Sequence, residues 1–232
     1  DGWLNRLISQ LSNNASGVAI AAGMPRSLSG AAQVSTWSPT TLGVVEDAYL
    51  DRLHLLYRED SALQGSFEAA LSQMDLGADM ESTGNGRGRQ RGNNNFSALF
   101  QATAQLMASD GGANIATMEF SGWDTHANQG TAGGLLDRRL AQLAEGLNTL
   151  KRAMSDQWEG TTVVVMTEFG RTARPNGSRG TDHGTAGAGF ILGNTIARSK
   201  IVTDWPGLSE RQLFEGRDLA PTLDTRAVLK GV

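Results

Sequence analysis

The sequence predicts an α/β fold. Three observations carry the prediction: a strand-like run at 114–120, a β-branched run at 161–167, and a helical stripe between them. The stripe is Leu136, Leu140, Leu143, Leu147, Leu150 and Met154, alternating four and three residues apart, which places one apolar face along a long helix. Thr161 to Thr167 is apolar or β-branched on successive residues, as in a parallel strand buried on both faces. Strand, helix, strand in this order makes a βαβ unit with parallel strands.

The other elements follow along the chain. Leu4, Leu7, Ile8 and Leu11 recur at helical spacing, so the chain opens in a helix. Gly17 to Ala22 reads as a short strand and Gln33 to Trp37 as another. Val44 to Tyr57 and Ser61 to Met74 read as helices, with Asp60 and Ser61 as cap residues between them. Residues 83–95 contain no apolar side chain and are expected to form a flexible Gly/Asn/Arg loop, with nothing to bury. Phe96 to Ala108 returns to helical pattern through Leu99, Phe100, Ala104 and Met107, with Asn95 and Ser97 as start signals. Phe169 to Thr181 has no helical stripe, so the strand near 186–192 is expected to return antiparallel.

Composition excludes several functions. With 232 residues the chain can bury a sizeable core. A net charge of −4 gives no global attraction for nucleic acid, and the three arginines at 83–95 read as a solvated surface. The absence of cysteine removes disulfides, thiolate metal sites and a thiol nucleophile. No apolar run is long enough to span a bilayer. The opening Asp1-Gly2-Trp3 carries no basic, apolar leader, so the chain is expected to be processed or trimmed. No Gly-x-Gly-x-x-Gly follows a strand, and neither a nucleophile elbow nor a phosphate loop is present.

The chemistry-bearing residues gather in one stretch. Asp124 and His126 follow one predicted strand, Glu168 closes the next, and Asp182 and His183 precede the returning strand. Ligands of open α/β sheets bind outside the carboxyl ends of the strands. An antiparallel return brings Asp182 and His183 to that same edge. Residues two apart in extended backbone face one side, so Asp124 and His126 are expected to act together. Carboxylate and imidazole donors suit zinc, manganese or iron. Glu168 can be a ligand, a general base, or a partner orienting a histidine. Arg171 can pair with Glu168 or hold an anionic group, and Asp182 can cap a turn. His54, inside a helical run, reads as structural. A Ser121–His183–Asp124 triad lacks the turn context that such a nucleophile needs.

Three segments also carry a resemblance: Gly122 to Gln129, Thr167 to Arg174 and Gly180 to Gly184. With Asp1 to Arg6, Trp205 to Gly207 and Asp218 to Thr222, they resemble a bacterial family of exported proteins, domain of unknown function fifteen-oh-one. That family looks like a distant branch of the alkaline phosphatase and sulfatase superfamily. The resemblance implies a three-layer α/β/α fold with a mostly parallel sheet. It implies that residues 1–232 are the C-terminal part of one such domain, with a preceding segment, covalent or separate, as partner to complete sheet and site. It also implies twin-arginine export to a periplasmic or extracytoplasmic location.

By this resemblance Asp124, His126, Glu168 and His183 match metal-ligand positions, and Asp182 is added as a further candidate ligand. The pair is spaced Asp-x-His where the superfamily has Asp-x-x-x-His, and Glu168-Phe169 stands where it has Asp-His. The implied activity is metal-dependent hydrolysis of a phosphate or sulfate ester, with zinc or manganese, or else calcium. Glu168 and Arg171 are the candidate catalytic residues, Arg171 contacting the anion. The alternative is a non-catalytic exported structural or assembly subunit with a decayed site.

Overall fold

The computed structural model describes residues 1–12, 14–38, 47–60, 63–65, 67–68, 71, 94–194, 196 and 199–231. The chain is mixed α/β and divides into two compact units, Asp1–Glu119 and Phe120–Val232.

The first unit is built on a small parallel sheet. Strand β1 (Gly17–Ile20) lies between β2 (Val34–Trp37) and β3 (Ile115–Met118), parallel to both. All four residues of β1 are buried, because helices cover both of its faces. On one face Ile8 of helix α1 (Trp3–Leu11) packs with Ala15, Ala19 and Leu28. On the other, Val18 and Ile20 meet Leu106 and Leu99, which belong to the helix at Asn94–Ala108. The alternation of Val18 and Ile20 against Ala19 is the period of two that sorts a strand's side chains between faces. Buried Asn5 fixes the crossover from β1 to β2. Its Nδ2 donates to the Leu28 carbonyl at 2.8 Å, and its Oδ1 accepts from the Ala32 N–H at 3.0 Å.

Helix α2 (Asp47–Tyr57) carries His54, whose ring lies 6.3 Å from that of Phe67, as a structural histidine would. Asp60 caps as expected, its Oδ1 accepting from the Leu63 N–H at 3.1 Å. Most of the second helix expected at 61–74, and the expected loop at 83–95 as far as residue 93, lie outside the described residues. Asn94 and Asn95 already belong to helix α3 (Asn94–Ala108).

The second unit opens with the loop holding Asp124 and His126. Helix α4 (Leu135–Met154) follows and buries Leu143, Gly146, Leu150 and Met154, while Leu140 of the predicted stripe stays 43% exposed. A 3-10 turn (Ser155–Gly160) leads into β4 (Thr162–Val165). Next come β5 (Gly170–Arg171), β6 (His183–Gly184), β7 (Phe190–Gly193) and the short helix α5 (Thr225–Leu229). β7 returns antiparallel to β4, as the absence of a crossover helix predicts.

Two expectations are corrected. β4 is a half-buried strand in an antiparallel ladder, and β3 does not pair with it among the described residues: β3 joins β1, and β4 joins β7. The helical segment between them is therefore not the crossover of one hydrogen-bonded βαβ unit. A β-branched run specifies extended backbone but not the direction of its neighbour. Here the nearer strand in sequence takes the partner's place. Among the described residues the parallel part is the three-stranded sheet, and the remaining ladders are antiparallel. Among the described residues no helix is long and apolar enough to cross a membrane.

Candidate metal centre

The site is assembled by two loops and one short ladder, all within the second unit. The loop at 124–129 runs against the loop at 176–181, with Asn128 N–H donating to Ser178 O at 3.0 Å and Gln129 N–H to Arg179 O at 3.0 Å. Gln129 ties them from inside: its Oε1 accepts from Thr125 Oγ1 at 2.8 Å and Thr181 Oγ1 at 2.7 Å. Gly180 is required by close approach, because a Cβ there would stand 2.2 Å from the backbone carbon of His126. The ladder sets the rest. Arg171 of β5 lies opposite His183 of β6, so the two side chains are cross-strand neighbours.

Both reach Asp124. Its Oδ1 lies 2.7 Å from Arg171 Nη2, 2.9 Å from His183 Nε2 and 2.9 Å from His126 Nε2. The Asp-x-His spacing thus does place the two side chains on one side. Asp182 stands behind His126, with its Oδ1 3.0 Å from Nδ1. Asn176 holds that carboxylate, donating through Nδ2 to Asp182 Oδ1 at 2.8 Å and to the His126 carbonyl at 2.9 Å. Phe169 stacks on the His183 ring at 4.2 Å and 10°. The side chains of Asp124, His126 and His183 are about half exposed, so the cluster is open to solvent.

Electrostatics follow the contacts. Hydrogen bonding by His183, then by Arg171, with the charges of both histidines, holds the Asp124 carboxyl below the usual range. Asn176 first, then His126, holds Asp182 down, aided by the nearby charge of Arg217.

Asp124, His126 and His183 each offer a donor atom, and the three atoms lie within 4.8 Å of one another, so the group can hold a metal ion. The donor chemistry fits. A neutral imidazole has one N–H and one lone pair. His126 bonds Asp182 through Nδ1, which leaves Nε2, 2.9 Å from the Asp124 carboxylate, to take a metal ion beside that oxygen. Donors around a tetrahedral zinc stand about 3.3 Å apart, given bonds near 2.0–2.1 Å. Opening the present 2.9 Å contacts to that spacing takes a few tenths of an ångström of side-chain movement. The Asp182–His126 contact is the carboxylate–histidine arrangement that fixes the orientation of a ligating imidazole.

The other predicted residues fall in different places. Glu168 is exposed beyond the end of β4, outside the group of three, and makes no hydrogen bond or ion pair among the described residues. Arg171 does not pair with it. Its Nη1 donates to Thr181 O at 2.6 Å, and its Nη2 to Trp123 O at 2.6 Å and to Asp124. Three of the five guanidinium N–H donors thus clamp the site loops. Ser121 makes no hydrogen bond to His183 among the described residues, so the serine triad is not assembled. Sequence reasoning missed Asn176, although Pro175-Asn176-Gly177 is a turn signature in which an asparagine side chain bonds nearby backbone. Asn176 Oδ1 accepts from Ser178 N–H at 2.9 Å and Gly180 N–H at 3.1 Å. Gln129 and Asp218 lie in segments that carry the family resemblance, but no local pattern gives either a role at the site.

Asp218 is 3% exposed, and its Oδ2 accepts from Thr185 Oγ1 at 2.8 Å and Arg217 Nη2 at 3.1 Å. Arg217 Nε is 2.8 Å from Oδ1 but off line for a hydrogen bond. Thr185 first, then Arg217, depresses the Asp218 carboxyl. A carboxyl whose folded pKa lies below its unfolded value of about 3.9 stabilises fully above that value. The contribution disappears as pH falls through the lower, folded value. Asp218→Asn is therefore expected to cost stability at neutral pH, about 1.5–3 kcal/mol for hydrogen bonds to a charged group. It should also weaken the loss on acidification below about pH 4. Urea titrations at stepped pH check both.

The family to which this site belongs is shown by comparison. The model of the family described as protein of unknown function (DUF1501) matches residues 1–232, and the chain belongs to that family. No curated protein and no solved structure matches the chain.

Proposed function

We propose that the chain is a metal-dependent hydrolase of a phosphate or sulfate ester, with Asp124, His126 and His183 holding the divalent ion. The observation that carries this is the convergence of the three donor atoms within 4.8 Å, with Asp182 braced behind His126. Two imidazoles and one carboxylate suit zinc or manganese. Calcium, which takes six to eight oxygen ligands, is the weaker fit. When bound, such an ion supplies Lewis-acid polarisation of an ester oxygen and activation of water.

The chain's own residues do the rest. Arg171 holds Asp124 in place and joins the loops that carry Trp123 and Thr181. Glu168 is an unpaired carboxylate next to Phe169, which stacks on His183, and it serves as the general base. Helices on both faces of the parallel sheet support a three-layer fold of alkaline phosphatase type. The resemblance adds an extracytoplasmic setting to the proposal.

A second reading rests on one observation. Asp124 Oδ1 already hydrogen-bonds Arg171 Nη2 at 2.7 Å and His183 Nε2 at 2.9 Å, so the network can close on itself as a structural lock in a non-catalytic subunit. Assay of aryl phosphate and aryl sulfate esters with added zinc, manganese or iron separates the two. Metal-dependent turnover that Asp124→Ala abolishes supports the hydrolase. Metal uptake without turnover points away from hydrolysis, and iron uptake would turn attention to redox chemistry. Neither uptake nor turnover supports the lock.

A further inference from the structure

Among the described residues Asp218 is one of five buried polar or charged ones, and it lies far in sequence from the residues that hold the candidate metal. Burying a carboxylate is costly unless it is well paired. This one is paired with Arg217, whose Nε lies 2.8 Å from Oδ1, although Oδ1 makes no hydrogen bond. Its place in the chain gives those contacts a further consequence. The backbone of Asp218 bridges to Thr172 directly after β5, and Ala173 N–H donates to Arg217 O at 3.2 Å. The side chain reaches Thr185, directly after β6, at 2.8 Å. Asp218 is thus tied to the exits of both strands whose side chains, Arg171 and His183, meet Asp124.

We infer that Asp218 is a positioning residue for His183, acting through Thr185 to fix the strand that presents the imidazole to Asp124. The geometry is specific. Thr185 sits in the bend directly after β6, so anchoring its hydroxyl holds the end of the short strand that carries His183. Arg217, held by the same carboxylate, places its charge near Asp182, so the segment also backs the partner of His126. Outer partners of ligating residues usually govern affinity by 10–100-fold. Asp218 acts one link further out, and about a tenfold loss is expected.

The inference rests on the reading of Asp124, His126 and His183 as a metal site, but it is tested without that reading as well. The chain has three histidines, so their imidazole proton signals can be assigned one by one. Proton NMR of the metal-free protein is compared for wild type, Asp218→Asn and Thr185→Val. Thr185→Val removes only the hydroxyl and keeps the protein testable should Asp218→Asn fail to fold. The expected result is a shifted His183 signal and a weakened His183–Phe169 ring contact in both variants, with the His54 signal unchanged. Titration with zinc then reads the affinity, expected to fall about tenfold in each. Failure of the wild type to bind zinc would overturn the metal reading while the ring signals still judge the positioning. Unchanged His183 signals and ring contact in Thr185→Val would overturn the inference.

Discussion

Zinc at a hundredfold excess over its dissociation constant is expected to stabilise the wild-type protein by about 2.7 kcal/mol, and His183→Ala or His126→Ala is expected to abolish that gain. The size follows from mass action on a folded state that binds and an unfolded state that does not. The specificity follows from the donor count. Asp124, His126 and His183 supply three donors, and losing an imidazole leaves two. The metal-free proteins should differ little in stability, because the His183–Asp124 and His126–Asp124 contacts are about half exposed and such pairs contribute little. The variants therefore separate metal binding from folding. Thermal melting with zinc, and again after chelator, measures both. A zinc response that survives in His126→Ala and His183→Ala alike would remove the assigned ligands.

The parts of this site legible in the sequence were those fixed by short spacing or by the absence of an element. Asp124 and His126 were expected on one side because residues two apart in extended chain share a face, and their side chains do meet at 2.9 Å. Asp182 and His183 were expected at the same place because no helix separates them from Glu168, and β7 does return antiparallel to β4. What could not be read depends on tertiary partners. Arg171 is three residues from Glu168, yet its partner is Asp124, because the β5–β6 register puts His183 opposite it. Thr161 to Thr167 was β-branched enough to mark a strand, but strand direction lies in the neighbour. From sequence Asp182 reads as a ligand or a turn cap, and only the tertiary fold brings it to the far nitrogen of His126. The parallel sheet was legible only in part, since β1 pairs with β3 across almost a hundred residues, a distance over which no local pattern speaks.

Asp182→Ala and Glu168→Gln are expected to divide the two roles left to carboxylates outside the ligand group. Asp182 bonds the Nδ1 of His126, while Asn176 bonds Asp182 and the His126 carbonyl. Removing the Asp182 carboxylate frees the ring to rotate and lowers the basicity of Nε2, so zinc affinity should fall about 10–100-fold. Glu168 is outside the group and unpaired among the described residues, so Glu168→Gln should leave zinc affinity unchanged. In its proposed role as general base, however, it would govern proton transfer, and its loss should then lower turnover of an aryl ester about 10²–10⁴-fold. Calorimetric zinc titration and ester assays on the same protein samples give both quantities. Asp182→Ala should lose turnover at low zinc and recover it as zinc is raised, since its defect is occupancy. Glu168→Gln should not recover, since its defect is in the chemistry. If instead Glu168→Gln weakens zinc as much as Asp182→Ala does, Glu168 is a ligand that closes onto the ion, and the general base must be sought elsewhere.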